Sequence, residues 1–171
     1  MYQTVGHNTV HLQAECAGLP LYRDYITGQS IEQKLNYSTT SGDETEDLYR
    51  LLSQIKQQHP DIQGVSVGAI LSNYQRARVE NVCVRLGLTS LAYLWQRDQK
   101  ELLAEMIGAG LTAIVIKVAA IGLKSIHLGK TLGELQPVLL ALVQHHMDVA
   151  DFRMLDSIYM SAGKGENTRH S

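Results

Sequence analysis

The sequence predicts an α/β fold, a doubly wound parallel sheet flanked by crossover helices. Two observations carry that prediction. Apolar runs alternate along the chain with segments whose large aliphatic residues recur at helical spacing, and glycine or proline punctuates the switches. The stretch 64–85, G-V-S-V-G-A-I-L-S-N-Y-Q-R-A-R-V-E-N-V-C-V-R, condenses the pattern, because an apolar run breaks at a polar cluster that opens an amphipathic helix. With 171 residues, 44% of them hydrophobic, the chain is long enough to bury one sizeable core.

Each element has its own warrant. A helix-like segment spans about 9–17. After Pro20, L-Y-R-D-Y-I alternates Leu21, Arg23 and Tyr25 against Tyr22, Asp24 and Ile26, which predicts a short strand ended by a turn at Thr27 and Gly28. The polar segment 29–42 reads as an exposed loop or short helix. Leu48, Leu51, Leu52 and Ile55 stripe a helix that Pro60 closes, and the apolar run 65–71 predicts a strand buried on both faces. Val79, Val82, Cys83 and Leu86 stripe the next helix up to Gly87, and L-A-Y-L-W at 91–95 predicts a strand. Leu102, Leu103, Met106 and Ile107 mark a helix ended by Gly108 and Gly110, and T-A-I-V-I-K-V at 112–118 a further buried strand. Leu132, Leu135, Leu139 and Val143 stripe a last helix, in which Pro137 suits the first turn better than the middle. From about His145 the character changes, and S-A-G-K-G-E-N-T-R-H-S reads as a polar, fraying end. The expected division is a domain over 1–144 and a partly disordered tail over 145–171.

Composition narrows the function classes. A formal net charge of -2 and a pI near 6.4 give no electrostatic reason to expect a nucleic-acid or membrane-surface partner. The most apolar stretch, 111–123, is shorter than the roughly 20 residues a bilayer requires, and it contains Lys117. M-Y-Q-T-V-G-H shows no secretory pattern, so a cytoplasmic location is expected. Cys16 and Cys83, far apart within helical segments, read as buried thiols of a reducing compartment. Neither Gly-Lys pair makes a Walker A loop. Lys124 stands where the first glycine of H-L-G-K-T would need to be, and S-A-G-K-G-E follows no evident strand. His7 and His11 share a helix face but lack a third ligand, so no histidine metal site is expected.

Two clusters remain as candidate sites. Ligands in open α/β sheets bind beyond the carboxyl ends of the strands, which puts Ser72, Asn73, Tyr74, Gln75 and Arg76 on the lip of a crevice. Arg76 and Arg78 there are suited to bidentate binding of phosphate or carboxylate, against the plainer reading of a solvated first turn paired with Glu80. Trp95 at the neighbouring strand end reads as core more readily than as a pocket wall. The second cluster is S-G-D-E-T-E-D-L, with Asp43, Glu44, Glu46 and Asp47 in one helical turn. Ser41 and Glu44 form an S-x-x-E capping box, yet four neighbouring carboxylates repel, a cost that Mg²⁺ or a cationic substrate would relieve.

The words M-Y-Q-T-V-G-H, L-P-L-Y-R, G-D-E-T-E-D-L-Y-R-L-L, G-V-S-V-G-A-I-L-S-N-Y-Q-R-A-R-V-E-N-V-C, L-A-Y-L-W-Q-R, I-K-V-A-A-I-G-L and H-L-G-K-T-L closely resemble the diphthine-ammonia ligase family. That resemblance runs from Met1 to about Val143. It implies a Rossmann-like, adenine nucleotide alpha hydrolase-like sheet. It also implies a ligase that uses ATP, with Mg²⁺, to adenylate the carboxylate of diphthine on translation elongation factor 2, after which ammonium supplies the amide of diphthamide. The family's S-G-G-K-D-S and C-G-E-G-G-E-Y-E-T words are not in these 171 residues. Both ends therefore read as truncated and the sheet as incomplete, its first strands missing, with an exposed edge suited to pairing with another chain. The resemblance carries over to Gly42, Asp43, Glu44, Glu46 and Asp47, for Mg²⁺ or the trimethylammonium group, with Tyr74 as an aromatic contact to the cation. It also carries over to Ser72, Tyr74, Gln75, Arg76 and Glu80, for diphthine or adenylate. Two functional classes follow: the ligase, and an inactive form that only binds elongation factor 2 or the full-length enzyme.

Overall fold

A computed structural model of the chain describes residues 6–118, 122–145 and 158–163. The fold is α/β, with a small parallel sheet and flanking helices. The chain divides into two compact units, one built on Leu21–Gln96 and the other on Gln3–Pro20 with Arg97–Ser171.

In the first unit, helix α2 (Glu44–Gln58) precedes strand β1 (Gly64–Ser66), helix α3 (Asn73–Leu86) and strand β2 (Thr89–Leu91). β1 and β2 are parallel, with Val65 opposite Ser90, so β1, α3 and β2 form one crossover. Gly87, with φ 64° at the end of α3, accepts the left-handed conformation that ends a helix and turns the chain into β2. Val79, Cys83 and Leu88 are buried at the centre, packed against Leu48, Ile62, Val65, Val67 and Leu86. Burial there raises the Cys83 thiol pKa above its ordinary value, with a smaller push from Glu80.

Both strands are shorter than the sequence predicts. The run 65–71 pairs only through its start, because Val67 N–H still reaches the Leu91 carbonyl at 3.0 Å but the chain then bends toward α3. Only Ala69 and Ile70 of that run are buried. β2 begins before L-A-Y-L-W and ends at Leu91, since residues 92–95 turn back and Gln96 N–H donates to the Ile70 carbonyl at 2.8 Å. The predicted strand at 21–26 does not form. No neighbouring strand supplies a ladder among the described residues, and Leu21, Tyr25 and Ile26 are exposed. Side chains hold the segment along α2 instead: Tyr22 Oη meets His59 Nε2 at 2.5 Å, and Arg50 binds Asp24 Oδ2 at 2.8 Å and the Tyr25 carbonyl at 3.1 Å.

The second unit contains helix α1 (Val10–Ala17), helix α4 (Gln99–Gly108), strand β3 (Thr112–Val118), helix α5 (Leu132–His145) and strand β4 (Ile158–Gly163). Leu102, Leu103, Ala113, Val115, Leu132, Leu135 and Leu139 are buried in this unit, each large side chain contributing roughly 1.5–3 kcal/mol. β3 buries Ala113 and Val115 in alternation, so one face is covered and not two. It pairs antiparallel with β4, against the expectation of a wholly parallel sheet, and β4 takes in S-A-G, which the sequence reads as part of a fraying end. Thr131 and Glu134 form a reciprocal capping box at α5, with Thr131 N–H donating to Glu134 Oε2 at 2.7 Å and Glu134 N–H to Thr131 Oγ1 at 3.2 Å. Pro137 lies in the second turn of α5, beyond the first turn that suits it; the carbonyl left without an N–H donor belongs to Gly133. Cys16 is exposed on α1, which buries no residue, and this corrects its reading as a core thiol. Among the described residues no helix is long and apolar enough to cross a membrane.

Candidate functional site

The carboxyl ends of β1 and β2 converge with the start of α3. Ser72 caps that helix, its Oγ accepting from Gln75 N–H at 3.3 Å, because an extended residue with a short hydroxyl satisfies a donor the helix leaves open. The turn at 92–96 brings Trp95 beneath Arg76, whose guanidinium carbon lies 4.7 Å from the indole centroid. Trp95 is half-buried and forms a wall of the lip, not core. Gln96 closes the turn with φ 56°, a left-handed backbone that is unusual for a residue with a side chain and recurs at functional sites.

Arg76 is fixed twice and still open at its tip. Its Nε donates to Glu80 Oε1 at 2.6 Å one turn along α3, and its guanidinium carbon lies over the Trp95 ring. Among the described residues, no hydrogen bond engages Nη1 or Nη2. At 39% side-chain exposure, that fork is accessible to a planar anion in the bidentate geometry that carboxylate and phosphate share.

The acidic turn sits at the start of α2, and Asp43, not Ser41, is the N-cap. Its extended backbone and short side chain suit the role, with Oδ1 accepting from Thr45 N–H at 2.9 Å. Asp43 Oδ2 accepts from the N–H groups of Ile31 (3.0 Å) and Glu32 (2.9 Å), which binds the loop 29–42 to the helix start. Burial pushes the Asp43 carboxyl up, but the bonds from Thr45, Glu32 and Ile31 prevail and hold it below the usual range. Asp47 accepts from Thr27 N–H, Thr27 Oγ1, Gly28 N–H and Arg50 Nη1 at 2.8–2.9 Å. Burial again opposes, yet the donors from Gly28 and Thr27, joined by Arg50, lower its pKa to about 2. Glu46 takes a two-pronged contact from Arg85 (2.8 and 2.7 Å) and the Tyr37 hydroxyl at 2.8 Å. The Arg85 bonds, against burial, hold Glu46 low; burial, with that carboxylate beside it, pushes Tyr37 up to about 12. Glu44 is buried, with the Tyr74 hydroxyl 3.5 Å from Oε1.

The repulsion expected of four carboxylates is thus relieved by arginines and backbone donors of the chain itself. Their oxygens turn toward different partners, and among the described residues no three His, Cys, Asp or Glu side chains gather to hold a metal ion. The acidic turn therefore does not fit Mg²⁺.

The two clusters meet through Tyr74, whose hydroxyl is 2.6 Å from Ser30 Oγ. Of the residues singled out in the sequence, Glu44 and Tyr74 come together, as do Arg76, Glu80 and Trp95, while Asp43, Glu46 and Asp47 serve the surrounding loops. Sequence reasoning missed Arg50 and Arg85, which look like ordinary helix-surface cations, and it read Gly28 only as a turn. A Cβ on Gly28 would lie 2.6 Å from both the Asp43 carbonyl carbon and the Glu44 nitrogen, where Gln29 and Asp43 form a parallel bridge. Gly28→Ala is therefore expected to cost roughly 1–3 kcal/mol through forced backbone displacement, read as a lower urea midpoint at unchanged slope.

Residues 1–90 match the family described as Diphthamide synthase N-terminal domain. A Schizosaccharomyces pombe protein named diphthine--ammonia ligase is 61% identical over 142 residues, which cover 83% of this chain and 23% of that relative. Proteins of the same name from Rattus norvegicus and Homo sapiens are 60% and 55% identical over 143 residues, covering 83% of this chain and 53% of each relative. The chain thus spans about half the length of the mammalian relatives and about a quarter of the yeast one.

Proposed function

Because this chain belongs to the diphthamide synthase family, we propose that it supplies the substrate-facing lip of an ATP-dependent carbon–nitrogen ligase acting on diphthine of translation elongation factor 2. In that reaction a carboxylate oxygen of diphthine attacks the α-phosphorus of ATP, giving an acyl adenylate and pyrophosphate. The nitrogen of ammonia then attacks the acyl carbon, and the C–O bond breaks with its electron pair leaving on AMP. A carboxylate is a poor acyl electrophile until its oxygen becomes such a leaving group. The demand on the protein is therefore to orient the two reactants and to stabilise charge gathering on phosphate.

The observation that carries this reading is the pre-oriented Arg76 fork. We assign it to the phosphate or carboxylate oxygens, with Ser72 and Gln75 at the helix start and Glu80 holding the guanidinium in plane. From the acidic turn we assign Glu44, beside Tyr74, to face the trimethylammonium group, while Asp43, Glu46 and Asp47 hold the loops that shape the approach. The reading entails a cytoplasmic protein and neither a nucleic-acid nor a membrane partner, in keeping with a net charge of -2.

The test is AMP formation by the purified chain given ATP, ammonium and diphthine-bearing elongation factor 2. AMP that requires all three supports the ligase. A folded chain that binds the elongation factor but makes no AMP would replace it with the binding-only reading.

A further inference from the structure

We propose that Arg78 is a positioning residue, which fixes the Tyr74 ring at the lip and fastens the loop 29–35 to it so that ring and loop move as one body. Only the statement that this serves catalysis rests on the function proposed above; the coupling itself does not.

Arg78 is fully buried at 0% exposure, and among the described residues it makes no ion pair. A buried guanidinium without a carboxylate is costly, so what holds it is informative. Its Nη1 donates to the Tyr74 carbonyl at 3.2 Å, and its Nη2 donates to the carbonyls of Glu32 and Lys34, the latter at 3.4 Å. The guanidinium carbon lies 3.3 Å from the Tyr74 ring centroid and 5.3 Å from that of Tyr37, while among the described residues Nε has no hydrogen-bond partner. Dipoles and ring faces from two separate segments thus stand in for a single countercharge. Moving either segment leaves a buried cation unsatisfied.

The other end of the ring closes the coupling. Tyr74 Oη bonds Ser30 Oγ at 2.6 Å, so Arg78 secures the face and Ser30 the hydroxyl, and Ser30, Glu32 and Lys34 all belong to one loop. That loop has no helix or strand of its own among the described residues; the bridge at Gln29 and the Asp43 carboxylate beneath Ile31 and Glu32 tie its first half to the start of α2. Tyr74 and Trp95 each already carry an arginine on the ring, so the Arg76 end of the lip favours an anion, and a cation beside Tyr74 would be held by the Glu44 carboxylate and not by the ring.

The test uses the full chain with 3-fluorotyrosine in place of tyrosine and the substitution Arg78→Lys, which keeps the charge and loses the fork. The ¹⁹F resonance of Tyr74, identified by its loss in Tyr74→Phe, is expected to shift. That of Tyr49, covered instead by Arg85 at 4.0 Å, is expected to hold. Amides of Ile31, Glu32 and Lys34 should exchange about tenfold faster or more, with the interiors of α2 and α3 within about twofold of wild type. An unmoved Tyr74 signal, or uniform acceleration through both helices, would overturn the proposal. Should Arg78→Lys fail to fold, the exposed Ser30→Ala decides: a shifted Tyr74 signal with faster loop exchange supports the coupling, and neither change refutes it. Failure of wild type to bind inorganic pyrophosphate would count against the proposed function and leave these outcomes readable.

Discussion

Arg76→Ala is expected to lower substrate-dependent AMP formation by about 100-fold or more, the largest functional effect of any single change at the lip. Preorganisation of the guanidinium is the reason. A guanidinium free to wander must be ordered as charge develops, whereas here Glu80 and Trp95 have already fixed its plane. Arg76→Lys keeps a cation but loses both the indole stack and the paired donors, so it should recover only part of the rate. Glu80→Gln leaves the fork intact and loosens its anchor, and the smallest loss is expected there. If alanine and lysine were equally damaging, charge alone would contribute nothing to the rate, and a silent Glu80→Gln would mean that the fork needs no anchor from that carboxylate.

The largest effect on stability is expected from Asp47→Ala, at roughly 2–4 kcal/mol, because it strips one carboxylate from four donors and leaves backbone N–H groups and Arg50 without their acceptor. The pH dependence has a definite sign. The folded carboxyl titrates near 2, below its ordinary value of 3.8, so the folded state holds the proton less tightly than the unfolded chain does. Its contribution is complete above about pH 4 and is lost as pH falls from there toward 2. Urea unfolding of wild type should accordingly weaken across that window, with Asp43 adding in the same direction. The Asp47→Ala variant should weaken less. Equal slopes in the two proteins would mean that other carboxylates dominate acid unfolding.

Much of the helical content was legible because helices announce themselves locally. The stripe of Val79, Val82, Cys83 and Leu86, ended by Gly87, marks α3, and the structure ends the helix at Leu86. Strands were less legible because a strand needs a neighbour. The segment 21–26 has the right alternation, yet Arg50 and His59, not a ladder, decide its course. The antiparallel partner of β3 lay in a stretch whose composition reads as a polar end. Position in the fold also made the place of Arg76 legible, in the first turn of the helix that follows β1, where α/β sheets leave a crevice. The burial of Arg78 was not legible. Its partners are carbonyls of a loop more than forty residues away, and no carboxylate at helical spacing signals them. The same holds for the acidic turn, where capping and loop-holding account for Asp43 and Asp47 through donors, Thr27 to Glu32, that carry no side-chain signature of the task.

The most direct test of the lip as an anion site is calorimetric titration of the wild-type chain and Arg76→Ala with inorganic pyrophosphate at low and moderate salt. The account predicts saturable binding to wild type that weakens with salt and is reduced at least tenfold in Arg76→Ala, with folding unchanged in both. Equal affinity in the two proteins, or no binding by a folded wild type, would contradict it.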